Sequence, residues 1–354
     1  MATTAATATS QRGKARRTTA SSAGAKAPAL RSAGAKLGIN DFKGVFDGIT
    51  DNVCKVILGK EEVVRLSLAA IMCEGHVLFE DLPGTGKSML ARALSVSMNA
   101  SNARVQCTPD LLPGDITGSS ILDQRKGEFE FKPGPIFSSV LLVDEINRAS
   151  PKTQSALLEA MAERRVTADG KTYDLPRPFI VLATQNPIKQ GGTFPLPEAQ
   201  VDRFLFKLSM GYLSRDSELD VMFSNGNSLP IDDLTPVMDT EGVSQLIQFA
   251  ATNVQTSKEV GFYIVDLIQG TRNDPAISVG ASPRASIAML KASRVLAASD
   301  GRLEVYPDDV RAIASAVLAH RIVLKPEAVL RGEGVRDALE RVVASVKPPL
   351  SVRG

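Results

Sequence analysis

The chain has 354 residues, 44% of them hydrophobic and 23% charged. That is room for two or three domains of roughly 150 residues with ordinary cores. Two histidines, His76 and His320, argue against a multi-histidine metal site, and no run of about 18 apolar residues offers a membrane span. Three cysteines, Cys54, Cys73 and Cys107, stand far apart and read as reduced thiols of a cytoplasmic chain. Tryptophan is absent and aromatics make up 5%, a poor composition for stacking single-stranded nucleic acid.

Residues 1–36 hold seven basic residues and no acidic one, leaving 34 Lys and Arg against 39 Asp and Glu in the remainder. This Ala-, Ser- and Thr-rich stretch lacks the apolar residues that would offset the cost of ordering, so residues 1–40 are expected to form a disordered basic tail. Its lack of acids resembles a transit peptide, but it has no amphipathic apolar face. From residue 41 the pattern changes. Residues 41–58 and 61–73 carry apolar residues at spacings of three and four and predict helices. Short apolar runs at 76–80, 104–107, 140–143, 179–184 and 204–208 predict strands. They lack strict alternation, as in a parallel sheet covered on both faces. Beyond residue 214 only helices are expected, at 242–253, 258–272, 283–298, 307–318 and 334–346. The division is then an α/β core over 41–213 and a helical lid over 214–354.

The first strand leads into Asp81-Leu82-Pro83-Gly84-Thr85-Gly86-Lys87-Ser88 and then a helix from Met89. Strand, glycine loop and helix is the setting of a phosphate loop. Pro83, Gly84, Thr85, Gly86 and Met89 belong to the cradle. The glycines let backbone N–H groups curl round a phosphate at the helix N-terminus. Lys87 supplies a charge for the β- and γ-phosphates of ATP, and Ser88 can ligate Mg²⁺. Asp81 stands where the strict pattern has glycine. The run 140–143 ends in Asp144-Glu145. Asp144 suits Mg²⁺, directly or through water. Glu145 suits a general base for the attacking water. Asn186, after the fourth run, can orient that water against the γ-phosphate. These residues offer no obvious local arginine for the γ-phosphate.

The loop resembles that of the MoxR family of AAA+ ATPases. So do Gln106-Cys107-Thr108-Pro109-Asp110-Leu111-Leu112-Pro113, Lys132-Pro133-Gly134-Pro135-Ile136-Phe137 and Asp144-Glu145-Ile146-Asn147-Arg148. Ala183-Thr184-Gln185-Asn186-Pro187, Leu196-Pro197-Glu198-Ala199-Gln200-Val201-Asp202-Arg203-Phe204 and Gly280-Ala281-Ser282-Pro283-Arg284-Ala285 continue the series. The motifs follow the family's order over about residues 41–350. The resemblance implies an ASCE parallel sheet in order 5-1-4-3-2, a helical lid and two hairpin insertions, at 118–131 and 166–175. In the second, Asp169-Gly170 independently suits a type I′ turn. It further implies that Asn186 is sensor 1, Arg203 an arginine finger reaching a neighbouring subunit and Arg284 sensor 2. Arg284 follows Ser282-Pro283, a helix start with an N-cap and proline at N1. Ile57-Leu58-Gly59 resembles the segment that packs on adenine, or else is a helix end with glycine. The family forms rings, commonly hexamers, and remodels or matures protein complexes. Members often work with a partner carrying a von Willebrand factor A domain, some in metal insertion. A nucleic-acid motor and a nucleotide-gated scaffold that barely hydrolyses are the alternatives. The acidic body disfavours the first and Glu145 the second.

Overall fold

The structure is a computed structural model that describes residues 37–349 apart from 83, 126, 188–191 and 225–229. The expected tail over 1–36 lies outside the described residues, as does Pro83. Helix Ile39–Cys54 buries Phe42, Val45, Phe46, Ile49 and Val53, the stripe its three-and-four spacing demands. The Asp41 carboxylate closes its first turn by accepting the Gly38 N–H at 2.9 Å. Helix Glu61–Met72 packs beside it and opens with Glu61 and Glu62 at the positive end of its dipole.

Strands β1 (Val77–Glu80), β2 (Asn102–Gln106), β3 (Gly118–Asp123), β4 (Glu128–Pro133) and β5 (Val140–Asp144) follow. After them come β6 (Arg165–Ala168), β7 (Lys171–Asp174), β8 (Ile180–Gln185) and β9 (Phe206–Leu208). One five-stranded sheet runs β2-β5-β8-β1-β9, all parallel. Counting only its own strands, that is the expected order 5-1-4-3-2, with each strand within two residues of the predicted bounds. Every residue of β5 is buried, which is why its run shows no polar alternation. Successive residues feed opposite faces. Val77, Phe79, Leu142 and Leu182 join one apolar cluster, and Leu78, Leu141, Val143 and Val181 the other. Edge strand β2 differs: Arg104 lies open on one side while Val105 is buried on the other.

Hairpins β3–β4 and β6–β7 occupy both expected insertion sites. Asp169 (φ 50°) and Gly170 (φ 75°) both take the left-handed conformation that a type I′ turn requires. The hairpins meet where the rings of Phe131 and Tyr173 stack at 4.1 Å.

The remaining described residues are mainly helical, with helices Arg215–Ser224, Thr240–Asn253, Lys258–Asn273, Pro283–Ser299, Pro307–Leu318, Pro326–Leu330 and Val335–Ser345. The expectation that strands end near residue 214 is corrected. β10 (Ile277–Val279) and β11 (Val323–Leu324) form a small antiparallel pair. Three and two residues are too short for any periodicity to register. Helix Arg215–Ser224 escaped prediction because it carries no apolar stripe.

Candidate nucleotide site

β1 ends at Glu80 and the chain turns through Gly84 (φ 84°) and Gly86 (φ 91°), conformations that strain an L side chain. Helix Lys87–Ser97 starts there, its first N–H groups pointing into a cleft of about 290 Å³ at the C-terminal edge of the sheet. Gly84, Thr85, Gly86, Lys87, Ser88 and Met89 all line that cleft. The Lys87 ammonium donates to the Leu82 carbonyl at 2.8 Å and to Thr85 Oγ1 at 2.9 Å. Burial lowers its pKa, opposed by the charges of Asp81 and Asp144.

Asp144 closes β5. Glu145 then turns into the left-handed region (φ 55°, ψ 51°), an uncommon conformation for a non-glycine residue. This turn is how two adjacent carboxylates come to line one cleft. Thr184 of β8 pins both: its hydroxyl accepts the Glu145 N–H at 2.9 Å and donates to Asp144 Oδ1 at 3.3 Å. Glu145 Oε2 pairs with Arg148 Nη1 at 2.8 Å. Asn186, just past β8, completes this wall.

Asp81, in the place of the missing glycine, lies nearly buried. Its carboxylate accepts bonds from Ser209 Oγ (2.8 Å) and from the N–H groups of Met210 and Gly211. It fastens the base of the loop to the segment that leaves β9 for the lid. The sequence showed Asp81 as a departure but gave no sign of this role, because its partners lie about 130 residues away. Arg104 was missed altogether. It lines the cleft with its Nε 2.7 Å from Asp144 Oδ2, an arginine beside the carboxylates that the sequence reading did not single out. A polar residue on an edge strand reads as solvated, and only the alternation of Arg104 and Gln106 about Val105 hints at a shared face.

Four expected residues lie elsewhere. Ile57 is buried in the apolar cluster beneath the sheet. Gly59 (φ 67°) abuts Ser217, whose Oγ would stand 2.4 Å from any Cβ added there. Arg203 is exposed and donates to the Leu158 carbonyl. Arg284 faces Asp202, with Nη1 and Oδ2 3.7 Å apart. Ser282 stands at the expected N-cap, but its hydroxyl turns to Asp202 at 3.3 Å instead of capping the helix. Asp202 also accepts from Arg321 Nε at 2.7 Å, and the His320 ring bonds the Phe204 carbonyl at 3.0 Å. The segment carrying Arg203 is thus fastened to the end of helix Pro307–Leu318.

The donor set suits a metal–nucleotide pair. Ser88 Oγ and an Asp144 carboxylate are hard oxygen donors in one cleft, and Mg²⁺ takes few protein oxygens beside phosphate and water. Both bonds of the Lys87 ammonium are neutral ones that a phosphate oxygen can replace.

The model of the ATPase family associated with various cellular activities (AAA) matches residues 76–206, and that of the AAA lid domain matches residues 269–342. Chaperone MoxR1 of Mycobacterium tuberculosis is 39% identical over 306 residues, 84% of this chain and 80% of that protein. The chain belongs to the MoxR family of AAA+ ATPases. YeaC of Bacillus subtilis is 48% identical over 300 residues, 85% of this chain and 93% of YeaC. A crystal structure of a candidate ATPase from Cytophaga hutchinsonii superposes with a TM-score of 0.82 at 37% identity, covering 88% of this chain and 97% of that one. The first family match runs from β1 to the first residue of β9 and takes in every residue that lines the cleft, from Asp81 to Asn186. In this MoxR-family chain the lid match begins inside helix Lys258–Asn273 and takes in Arg284 and Arg321.

Proposed function

We propose that this chain hydrolyses ATP with Mg²⁺ and, as a ring, remodels or matures protein complexes. The observation that carries the reading is the convergence of Lys87, Ser88, Asp144 and Glu145 on one cleft. In it, Lys87 and the helix N-terminus hold the phosphates. Ser88 and Asp144 would hold Mg²⁺, which supplies charge neutralisation at the β- and γ-phosphates when bound. Glu145 takes a proton from the attacking water and Asn186 orients that water. The core over 41–213 carries the chemistry, and the lid over 214–354 senses it through Arg284.

Arg203 acts on the neighbouring subunit. Its exposure and its absence from the lining of its own cleft support that direction. Remodelling is supported by the name of the mycobacterial relative, a chaperone. A protein client and a partner with a von Willebrand factor A domain follow from the family reading. The three free cysteines suit the cytoplasm.

Phosphate release from ATP by the purified chain tests the reading. Turnover should be lost in Lys87→Ala, and so should nucleotide binding. Arg203→Ala should bind ATP and hydrolyse poorly, with a loss below the ~10³–10⁵ of GTPase arginine fingers. Rings reassembled from Arg203→Ala and Lys87→Ala subunits should regain turnover, because the second still offers its Arg203 to the first. If co-assembly is verified and no mixing ratio exceeds the separate variants, Arg203 does not act in trans.

A further inference from the structure

Arg104 stands on the outermost strand of the sheet, facing Leu142 in register, with Gln106 facing Asp144. Being two residues apart on a strand, Arg104 and Gln106 share a face, and both line the cleft. The Asp144 side chain is only 11% exposed, and its two oxygens are served differently. Oδ1 takes the Thr184 hydroxyl at 3.3 Å, a neutral donor on a buried strand. Oδ2 takes Arg104 Nε at 2.7 Å, a cation whose side chain is 61% exposed. A carboxylate this buried needs a positive partner. The partner it has is long, flexible and largely in water, so little holds it there beyond the carboxylate itself.

We propose that Arg104 is the resident counter-cation of the nucleotide site. It neutralises Asp144 while no metal is bound and yields that oxygen when Mg²⁺ arrives with the nucleotide, so that one cation exchanges for another on a single carboxylate. The Thr184 bond keeps Asp144 aimed throughout. This inference rests on reading the cleft as a Mg²⁺–nucleotide site.

The exchange has a consequence that a bystander charge on an edge strand lacks. With Arg104 present, the cleft without metal is less negative and tolerates metal-free phosphates. Without it, Asp144 keeps, among the described residues, only the charge of Lys87 in the same cleft and loses its one directly bonded cation. It then repels a metal-free nucleotide and attracts the metal more strongly. Both effects raise the preference for the metal-bound nucleotide.

The test is a titration of the full chain with a fluorescently labelled ADP, once in EDTA and once in excess Mg²⁺. The ratio of the two dissociation constants is compared among wild type, Arg104→Gln and Arg104→Lys. In Arg104→Gln the ratio should rise about fivefold, the scale of a largely exposed charge-assisted bond. Mn²⁺ titrated in the presence of ADP and followed by electron paramagnetic resonance should bind tighter by a similar factor. Arg104→Lys keeps the charge and should stay within about twofold of wild type. A ratio in Arg104→Gln that is unchanged or lower overturns the proposal. Lys87→Ala separates the two levels of the argument. If it binds labelled ADP as tightly as wild type, the cleft is not a phosphate site and the functional reading falls with the inference. If it does not bind, and Arg104→Gln leaves the ratio alone, only the exchange is wrong.

Discussion

Two arginines hold two aspartates in this chain through bonds of the same length, Arg104 to Asp144 and Arg321 to Asp202, each Nε to Oδ at 2.7 Å. Their surroundings are opposite. The Arg104 side chain is 61% exposed and that of Arg321 is 3% exposed. Arg321 also donates to the carbonyls of Leu205, Val317, Asp202 and Phe204, filling its guanidinium with partners on both sides of the core–lid junction. Burial lowers its pKa and Asp202 opposes the shift. The lesson is that bond length says little about what a pair is for. Water beside the cation makes the cleft pair exchangeable, and its absence makes the junction pair structural.

The largest effect should fall on the chemistry of the cleft with no cost to the junction. Glu145→Gln should bind ATP but lose about 10²–10⁴-fold in phosphate release, because an amide cannot take the proton. Its unfolding midpoint in denaturant should match wild type, since Glu145 pairs with a half-exposed Arg148. A wild-type turnover rate would remove Glu145 as the base. At the junction the balance reverses. Arg321→Met should cost about 3–5 kcal/mol in equilibrium unfolding, because Asp202 and several carbonyls lose a buried partner. A loss below 1 kcal/mol, roughly that of a surface pair, would erase the contrast.

Acid should probe the buried interior on both sides of the junction. The His76 ring accepts the Val181 N–H at Nδ1 (2.9 Å) and faces the Met161 carbonyl at Nε2 (3.2 Å), an arrangement that suits the neutral ring. Burial pushes its pKa down to about 4, and burial also holds His320 well below its ordinary range. The unfolded chain binds these protons near pH 6.5 and the folded chain does not. Stability is therefore full above about pH 6.5 and lost as pH falls, by about 2 kcal/mol for His76 by pH 5. Urea unfolding at several pH values reads this directly, and His76→Asn should flatten part of the slope. The smallest effect belongs to the residue that joins the two regions. Asp81→Asn leaves one oxygen for Ser209 Oγ, Met210 N and Gly211 N, and should cost about 1–2 kcal/mol. Thermal unfolding of this variant with and without ADP measures how firmly the loop is tied to the lid segment.

How legible each part was in the sequence follows from the range of its interactions. Gly84 to Ser88 stood out because a phosphate cradle needs its glycines, lysine and hydroxyl within one turn of chain. The buried run of β5 and the Asp169-Gly170 turn were equally local. Arg321, His320 and Asp202 were silent because the bonds that tie Arg321 and His320 to Asp202 and Phe204 span more than 115 residues and carry no spacing rule. Ser282 misled in an instructive way. Its position and the following proline satisfy the rules for a helix start, yet a carboxylate from the core outbid the helix for its hydroxyl.

The apolar cluster beneath the sheet does not stop at the sheet. From Phe42 it passes through Phe79 and Phe206 to Leu267, Met289 and Val342 without a polar break. A chain of two layers joined by such a seam should melt as one calorimetric unit, with a van't Hoff enthalpy equal to the measured heat. The segment from Thr240 onward, expressed alone, should expose that seam and associate through it instead of folding as an independent lid.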